Sequence, residues 1–358
     1  MRKRAVGKVC ALALLLLSGI AASAAFAKEE KRSLTRLANV TLAALPNGYL
    51  LVPVKLHGSD ALMYLNTGSA VSVIYEAAAN RFGLQVKELD PDSDRFSFGG
   101  ATLSKLVNVD SLQIGNVLFG KNTQFLVAPG REQRYEHTPI IGTLGTDLFS
   151  HVDFELDLAH RTLNLFSQDH SSGGVYWSDS AAVIPMYRGP MRDLYFAMEI
   201  DGKPIETGIS TGQLNTSLTT AASKMLFNFD EHSSGNELEG DSGKHRVYYR
   251  AMKLTARGLA VSNARIQLRT DNSCKVITKT FEGHAAAYSG SDCIGQYPLE
   301  LGLSVLEKLR LYFATREHVL YVTAADAPAQ ASSAAPGTAS TLQGQAVPPE
   351  QAPSPASK

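Results

Sequence analysis

The stretch MYLNTGSAVSVI, residues 63–74, carries an apolar strand pattern into a small polar turn and then re-enters an apolar run. Short segments rich in Val, Ile, Leu and Tyr, bounded by Gly, Pro, Asn or Asp, are a strand signal rather than a helix signal. Similar runs flank it: Tyr49-Leu50-Leu51-Val52-Pro53-Val54, Val107-Asn108-Val109-Asp110-Ser111-Leu112-Gln113-Ile114 and Thr123-Gln124-Phe125-Leu126-Val127. Their spacing predicts a mainly β chain.

The turn has a second copy. Gly58 precedes Asn66 by eight residues and Gly202 precedes Ser210 by the same eight, so Asn66-Thr67-Gly68-Ser69 aligns with Ser210-Thr211-Gly212-Gln213. A longer pairing aligns without a gap: GTDLFSHVDFELDLAHRTLNLF from Gly145 and GLSVLEKLRLYFATREHVLYVT from Gly302. Each reads as a glycine, a short helical stretch and two strands joined by a polar turn. The same order twice predicts a duplicated unit, with one lobe over residues 33–170 and another over 175–323. Ser171-Ser172-Gly173-Gly174 reads as the hinge between them.

Outside the repeat, composition bounds what remains. The charges balance at 34 basic and 34 acidic residues, which argues against nucleic acid or an anionic membrane as partner. Arg2, Lys3, Arg4 and Lys8, an apolar stretch over 11–20 and Ala25-Phe26-Ala27 have the form of a secretory signal peptide, residues 1–27, cleaved after Ala27. That apolar stretch is short for a bilayer span and no other span is expected. An exported location, periplasmic or secreted, follows. With the signal removed two cysteines remain, Cys274 and Cys293; an even count in an exported protein points to a disulfide, with two buried free thiols as the alternative. That bridge would close a loop of about 20 residues and contribute on the order of 3 kcal/mol. No HExxH or CxxC occurs among the scattered histidines and cysteines, so neither a metal nor another cofactor is expected. Residues 324–358 are Ala-, Pro-, Ser- and Gln-rich with no aromatic, which reads as a disordered tail.

At the turns the chain resembles the retropepsin-like and pepsin-like aspartic proteases, specifically the bacterial exported kind with two lobes in one chain. Asn66-Thr67-Gly68-Ser69-Ala70 stands where that family has Asp-Thr-Gly-Ala or Asp-Thr-Gly-Ser. Ile140-Ile141-Gly142-Thr143-Leu144-Gly145-Thr146-Asp147-Leu148 is similar to its apolar-apolar-Gly motif; Ser210-Thr211-Gly212 and Leu299-Glu300-Leu301-Gly302 are the second-lobe counterparts. The resemblance implies two acid-protease β-barrel lobes, each with a short helix, related by a pseudo-two-fold across a cleft that receives an extended peptide. It implies that Thr67 and Thr211 brace one turn against the other, that Gly68 and Gly212 permit close approach, and that residues 94–104 and 235–246 are flap hairpins.

Catalysis by such a dyad needs two carboxylates sharing one proton, because like charges so close cannot both ionise. Here the positions hold Asn66 and Ser210, and neither an amide nor a hydroxyl without a base exchanges protons near neutral pH. No catalytic residue is therefore expected at the degenerate positions. Asn66, Thr67, Gly68, Ser210, Thr211 and Gly212 are expected to bind an extended peptide or protein segment instead. Asp147 reads as a helix N-cap and Glu206 as a solvated residue on the strand before Ser210. Trp177 reads as a residue packed between lobes. Two alternatives stay open: an active aspartic endopeptidase with an unrecognised or partner-supplied carboxylate, and a structural spacer or assembly subunit. No G-x-S-x-G elbow or P-loop competes with these readings.

Overall fold

The computed structural model describes residues 33–90, 96–99, 101–120, 123–173, 175, 181–189, 193–240, 246–270, 276–281, 284–289 and 296–325. The signal-peptide segment, Trp177, Cys274, Cys293 and the tail beyond Ala325 lie outside them. The described chain is mainly β, organised as three large sheets and one small hairpin.

The first sheet is built from residues 43–144. Its middle runs from Leu50–Leu56 to Ser59–Leu65, then Thr138–Leu144, Val73–Tyr75 and Thr123–Ala128. Ser59–Leu65 lies parallel to Thr138–Leu144, which is antiparallel to Val73–Tyr75; that strand in turn lies parallel to Thr123–Ala128. A barrel-like second sheet repeats the arrangement. Lys203–Ile209 lies parallel to Leu299–Leu301, which is antiparallel to Ser217–Thr219, itself parallel to Leu259–Arg269. Parallel neighbours demand crossovers and bury both faces. The result is that Thr138–Leu144 is buried at all but its first residue and Leu299–Leu301 throughout.

The third sheet belongs to both halves. Its six strands run in the order Arg36–Thr41, Thr162–Phe166, Asp153–Asp157, Leu309–Ala314, Val319–Ala324 and Ala182–Pro185, three from each side of the hinge. The paired strands at the end of each repeat thus do not only close their own lobe; they join each other, Phe154 facing Phe313 and Leu156 facing Leu311. Under the repeat alignment these two pairings exchange places, so the ladder is self-complementary. Phe154 and Phe313 stack with centroids 4.2 Å apart, and Phe149 adds a third ring 4.7 Å from Phe154. Each such contact adds about 0.5–1.5 kcal/mol beyond area burial. Ala324, assigned to the tail by composition, pairs with Leu309, and Ala325 is buried.

Charged groups are buried in this shared sheet, and each is partnered, as a low-dielectric interior requires. Arg310 Nε donates to Glu155 Oε1 at 2.5 Å. His170, just before Ser171, places Nε2 2.8 Å from Asp153 Oδ2 and Nδ1 3.7 Å from Glu317 Oε1. Thr315 donates to Asp153 Oδ1 from both its backbone N–H and its hydroxyl, at 2.9 Å each, and Tyr321 donates to Glu317 Oε2 at 3.0 Å. Burial opposes protonation of His170, but the Ser171 carbonyl, the Asp153 carboxylate and the charge of Glu317 outweigh it and hold the imidazole above its ordinary pKa.

Helices are few. Glu76–Arg81 and Thr220–Phe227 follow the two turns, and the 3-10 turn Leu148–His151 and the helix Leu303–Leu306 follow the two motif glycines. No helix among the described residues is long and apolar enough to cross a membrane.

Candidate functional site

Each turn is anchored by its own sheet before it meets the other. Asn66 N–H donates to Leu144 O at 3.0 Å and Ser210 N–H to Leu301 O at 2.9 Å. Ser69 N–H closes the first turn on Asn66 O at 3.1 Å, as Gln213 N–H closes the second on Ser210 O at 3.3 Å. Thr146 N–H and Leu303 N–H then bind the outer ends of the turns, on Ser69 O and Gln213 O, both at 2.9 Å. Gly145 and Gly302 are required at these crossings. A Cβ on Gly145 would sit 2.6 Å from Val71 O, and one on Gly302 would sit 2.4 Å from Asn215 O.

A hydroxyl behind each turn ties it to its motif. Gly145 N–H donates to Ser72 Oγ at 2.9 Å and Gly302 N–H to Thr216 Oγ1 at 3.0 Å. Ser72 N–H donates to Asp147 Oδ2 at 2.9 Å, matched by Thr216 N–H donating to Ser304 Oγ at 3.0 Å. This corrects the N-cap reading of Asp147. The residue precedes the turn Leu148–His151, but its side chain makes no cap hydrogen bond there; it takes both the N–H and the hydroxyl of Ser72, the latter at 2.6 Å. Burial raises its pKa, partly offset by those Ser72 bonds.

The two turns are locked together through their threonines. Thr67 N–H donates to Thr211 Oγ1 and Thr211 N–H to Thr67 Oγ1, both at 3.1 Å. Each hydroxyl donates onward to the opposite strand, Thr67 Oγ1 to Ile209 O at 3.0 Å and Thr211 Oγ1 to Leu65 O at 2.8 Å. Both threonines are buried. The glycines let the backbones close: a Cβ on Gly212 would lie 2.5 Å from Asn66 Cγ and Oδ1, and one on Gly68 would lie 2.5 Å from Ser210 Oγ.

All six turn residues expected to form a site therefore meet. Asn66 Oδ1 accepts Gly68 N–H at 3.0 Å and the Ser210 hydroxyl at 3.4 Å. Among the described residues no carboxylate hydrogen-bonds Asn66 or Ser210. Asn66 is half-buried and Ser210 is 3% exposed, so the amide is the part of the pair that a ligand can reach.

Residues 52–148 match the Aspartyl protease family model. The aspartyl-protease-like segment thus spans the first turn and its motif through Leu148. Comparison with curated proteins finds no match. Among solved structures, an aspartic proteinase from Irpex lacteus is 12% identical, covering 80% of this chain and 96% of its own, with a TM-score of 0.48. Conglutin gamma, a basic 7S globulin from lupine seeds, is 11% identical over 82% of this chain and 95% of its own, TM-score 0.46. Basic 7S globulin from soybean is 10% identical with the same coverages and a TM-score of 0.45.

Around the two turns the structure adds partners that sequence reasoning missed. Gln213 Nε2 donates to Glu300 Oε2 at 2.6 Å, and Arg269 Nη1 donates to the same oxygen at 3.3 Å. Burial raises the pKa of Glu300, with Arg269 and Gln213 pulling the other way. The one available signal was an acidic residue inside the apolar Leu299-Glu300-Leu301 strand, where a carboxylate needs a partner. Glu206, expected in solvent, is 8% exposed. Its strand Lys203–Ile209 is paired on both sides, with Leu194–Ile200 on one and with Leu299–Leu301 and His284–Ser289 on the other. The alternation that assumes one wet face does not apply there.

Of the expected flaps, Phe96–Phe98 pairs with Ala101–Leu103 as a separate hairpin, and Phe98 packs 6.5 Å from the ring of Tyr75 beyond the first turn. In the second, Glu237–Glu239 pairs with Val247–Ala256. Arg265 holds that strand at both ends, donating to Glu237 and Glu239 while its guanidinium lies 3.5 Å over the Tyr249 ring. Among the described residues no group of His, Cys, Asp or Glu is arranged to hold a metal ion.

Proposed function

We propose that this chain is an exported, catalytically inactive aspartic-protease-like protein that holds an extended peptide or partner segment over the turns at Asn66 and Ser210. One observation carries the reading: an amide and a hydroxyl meet on a fully braced pair of turns, where dyad chemistry would need two acids. Loss of positioned acid–base help removes about 10²- to 10⁴-fold of rate, whereas capture of a strand requires only shape and hydrogen bonds. The Thr67–Thr211 exchange and the glycine contacts support a scaffold maintained without its proton-handling groups. The test is to assay peptide cleavage from pH 3 to 7 for the wild-type protein and for N66D/S210D. The expected result is no turnover by the wild type and acid-pH cleavage by the double variant. Cleavage by the wild type would overturn the reading.

A second reading is favoured by Glu300, a buried carboxylate bonded to Gln213 beside the second turn. If the protein is an endopeptidase after all, Glu300 is the acid nearest in bonding to the turn, and E300Q abolishes cleavage. Wild-type cleavage that persists in E300Q would remove this version.

A further inference from the structure

The substitution at Asn66 does more than remove an acid; it fixes which hydrogen-bonding polarity faces a ligand. The Gly68 N–H points at one amide atom of Asn66 at 3.0 Å, and a backbone N–H needs an acceptor, so that atom is Oδ1. The Ser210 hydroxyl lies on the same oxygen. Turning the amide over would oppose Nδ2–H to Gly68 N–H, two donors facing each other, at the cost of an unmet donor in a half-buried turn. The side chain also lies flat on Gly212, where even a Cβ would come within 2.7 Å of Nδ2. Asn66 Nδ2 has no acceptor among the described residues and is not among the buried atoms left without a partner, so the nitrogen is within reach of solvent.

We infer that the seat between the turns is a neutral, pH-independent donor that takes a backbone carbonyl of the bound peptide through Asn66 Nδ2–H. This rests on the peptide-binding reading above and narrows it. An ionised carboxylate at the same position is acceptor-only and would present no proton to a carbonyl. No cation hydrogen-bonds Asn66 or Ser210 among the described residues, so a neutral acceptor fits the seat better than a carboxylate of the ligand. Ser210 is 3% exposed and its hydroxyl is turned to Asn66, which leaves the contact to the amide.

The experiment starts by selecting peptides from a random octapeptide library on the wild-type protein, then measuring a labelled selected peptide by fluorescence polarisation from pH 3.5 to 8. The N66D variant keeps the shape of the side chain. The ratio of its Kd to that of the wild type is expected to be roughly ten-fold at pH 7.5 and to fall toward one as the new carboxylate protonates near its usual value of about 4. A second measurement does not depend on that variant's stability. Replacing each peptide carbonyl in turn by a methylene should cost the wild type roughly ten-fold at one position and cost N66A nothing there. Retained peptides with a Kd ratio that is flat in pH, or with reduced bonds tolerated equally by both proteins, overturn the inference and leave peptide binding standing. A library that yields no peptide overturns both.

Discussion

Thr211→Val tests whether the reciprocal threonine contact holds the two turns together. Valine keeps the shape of the side chain, so the change deletes hydrogen bonds with little cavity. Thr211 Oγ1 accepts Thr67 N–H at 3.1 Å and donates to Leu65 O at 2.8 Å, and Thr211 itself has no solvent exposure. Its loss strands a buried N–H at about 1–3 kcal/mol. The Leu65 carbonyl keeps a second lone pair and adds about 1 kcal/mol or less at the low end of that scale. A loss of about 1–4 kcal/mol follows, a large share of a typical total of about 5–15 kcal/mol. Urea unfolding at pH 7 reads it as a lower midpoint at unchanged slope. Thr67→Val should cost a similar amount, because Thr67 Oγ1 makes the mirror pair of bonds to Thr211 N and Ile209 O. The pair of bonds made by Thr211 Oγ1 and the pair made by Thr67 Oγ1 share no group, yet they brace a single junction. The double variant should therefore cost less than the sum, by at least about 0.5 kcal/mol. A Thr211→Val midpoint corresponding to under about 0.5 kcal/mol, the range of ordinary surface substitutions, would refute the reasoning.

Two further outcomes follow from the same structure. Gly212→Ala drives a methyl to 2.5 Å from Asn66 and should destabilise by about 1–3 kcal/mol, while Gly120→Ala, with nothing within 4 Å, should be neutral in the same urea assay. His170→Gln should cost about 1.5–3 kcal/mol at pH 5.5, the worth of a charged hydrogen bond to Asp153. Because the folded state raises the pKa of His170, the stabilisation is fully present below the unfolded value near 6.5 and fades as pH rises through the higher folded one. Equal penalties at pH 5.5 and at pH 9 would contradict that assignment.

Much of the site was legible because it is made of residues with few alternatives. Gly68, Gly145, Gly212 and Gly302 each sit where a Cβ would meet another atom at 2.6 Å or less. The eight-residue spacing from Gly58 to Asn66 and from Gly202 to Ser210 spans one turn and one strand, Ser59–Leu65 and Lys203–Ile209. What sequence patterns misread had a non-local cause. Asp147 looks like a cap because caps are local, but its partner Ser72 arrives from 75 residues away. Glu206 looks exposed because alternation presumes a wet face. The shared sheet was invisible because an apolar strand such as Leu309–Ala314 does not declare which of several apolar strands it will pair with, and its partner lies across the hinge.

That shared sheet also determines what either half is worth alone. Cleaving the connector near Ser171 would leave each fragment with three strands of an interrupted platform and a bare ladder along Asp153–Asp157 or Leu309–Ala314. The exposed rims are antiparallel complements of one another, and their register maps onto itself when the fragments trade places. The pieces are thus matched to rejoin as a nicked heterodimer, and each carries the geometry to zip onto its own twin. A chain built this way carries, along its midline, a joint with the symmetry of a two-piece assembly.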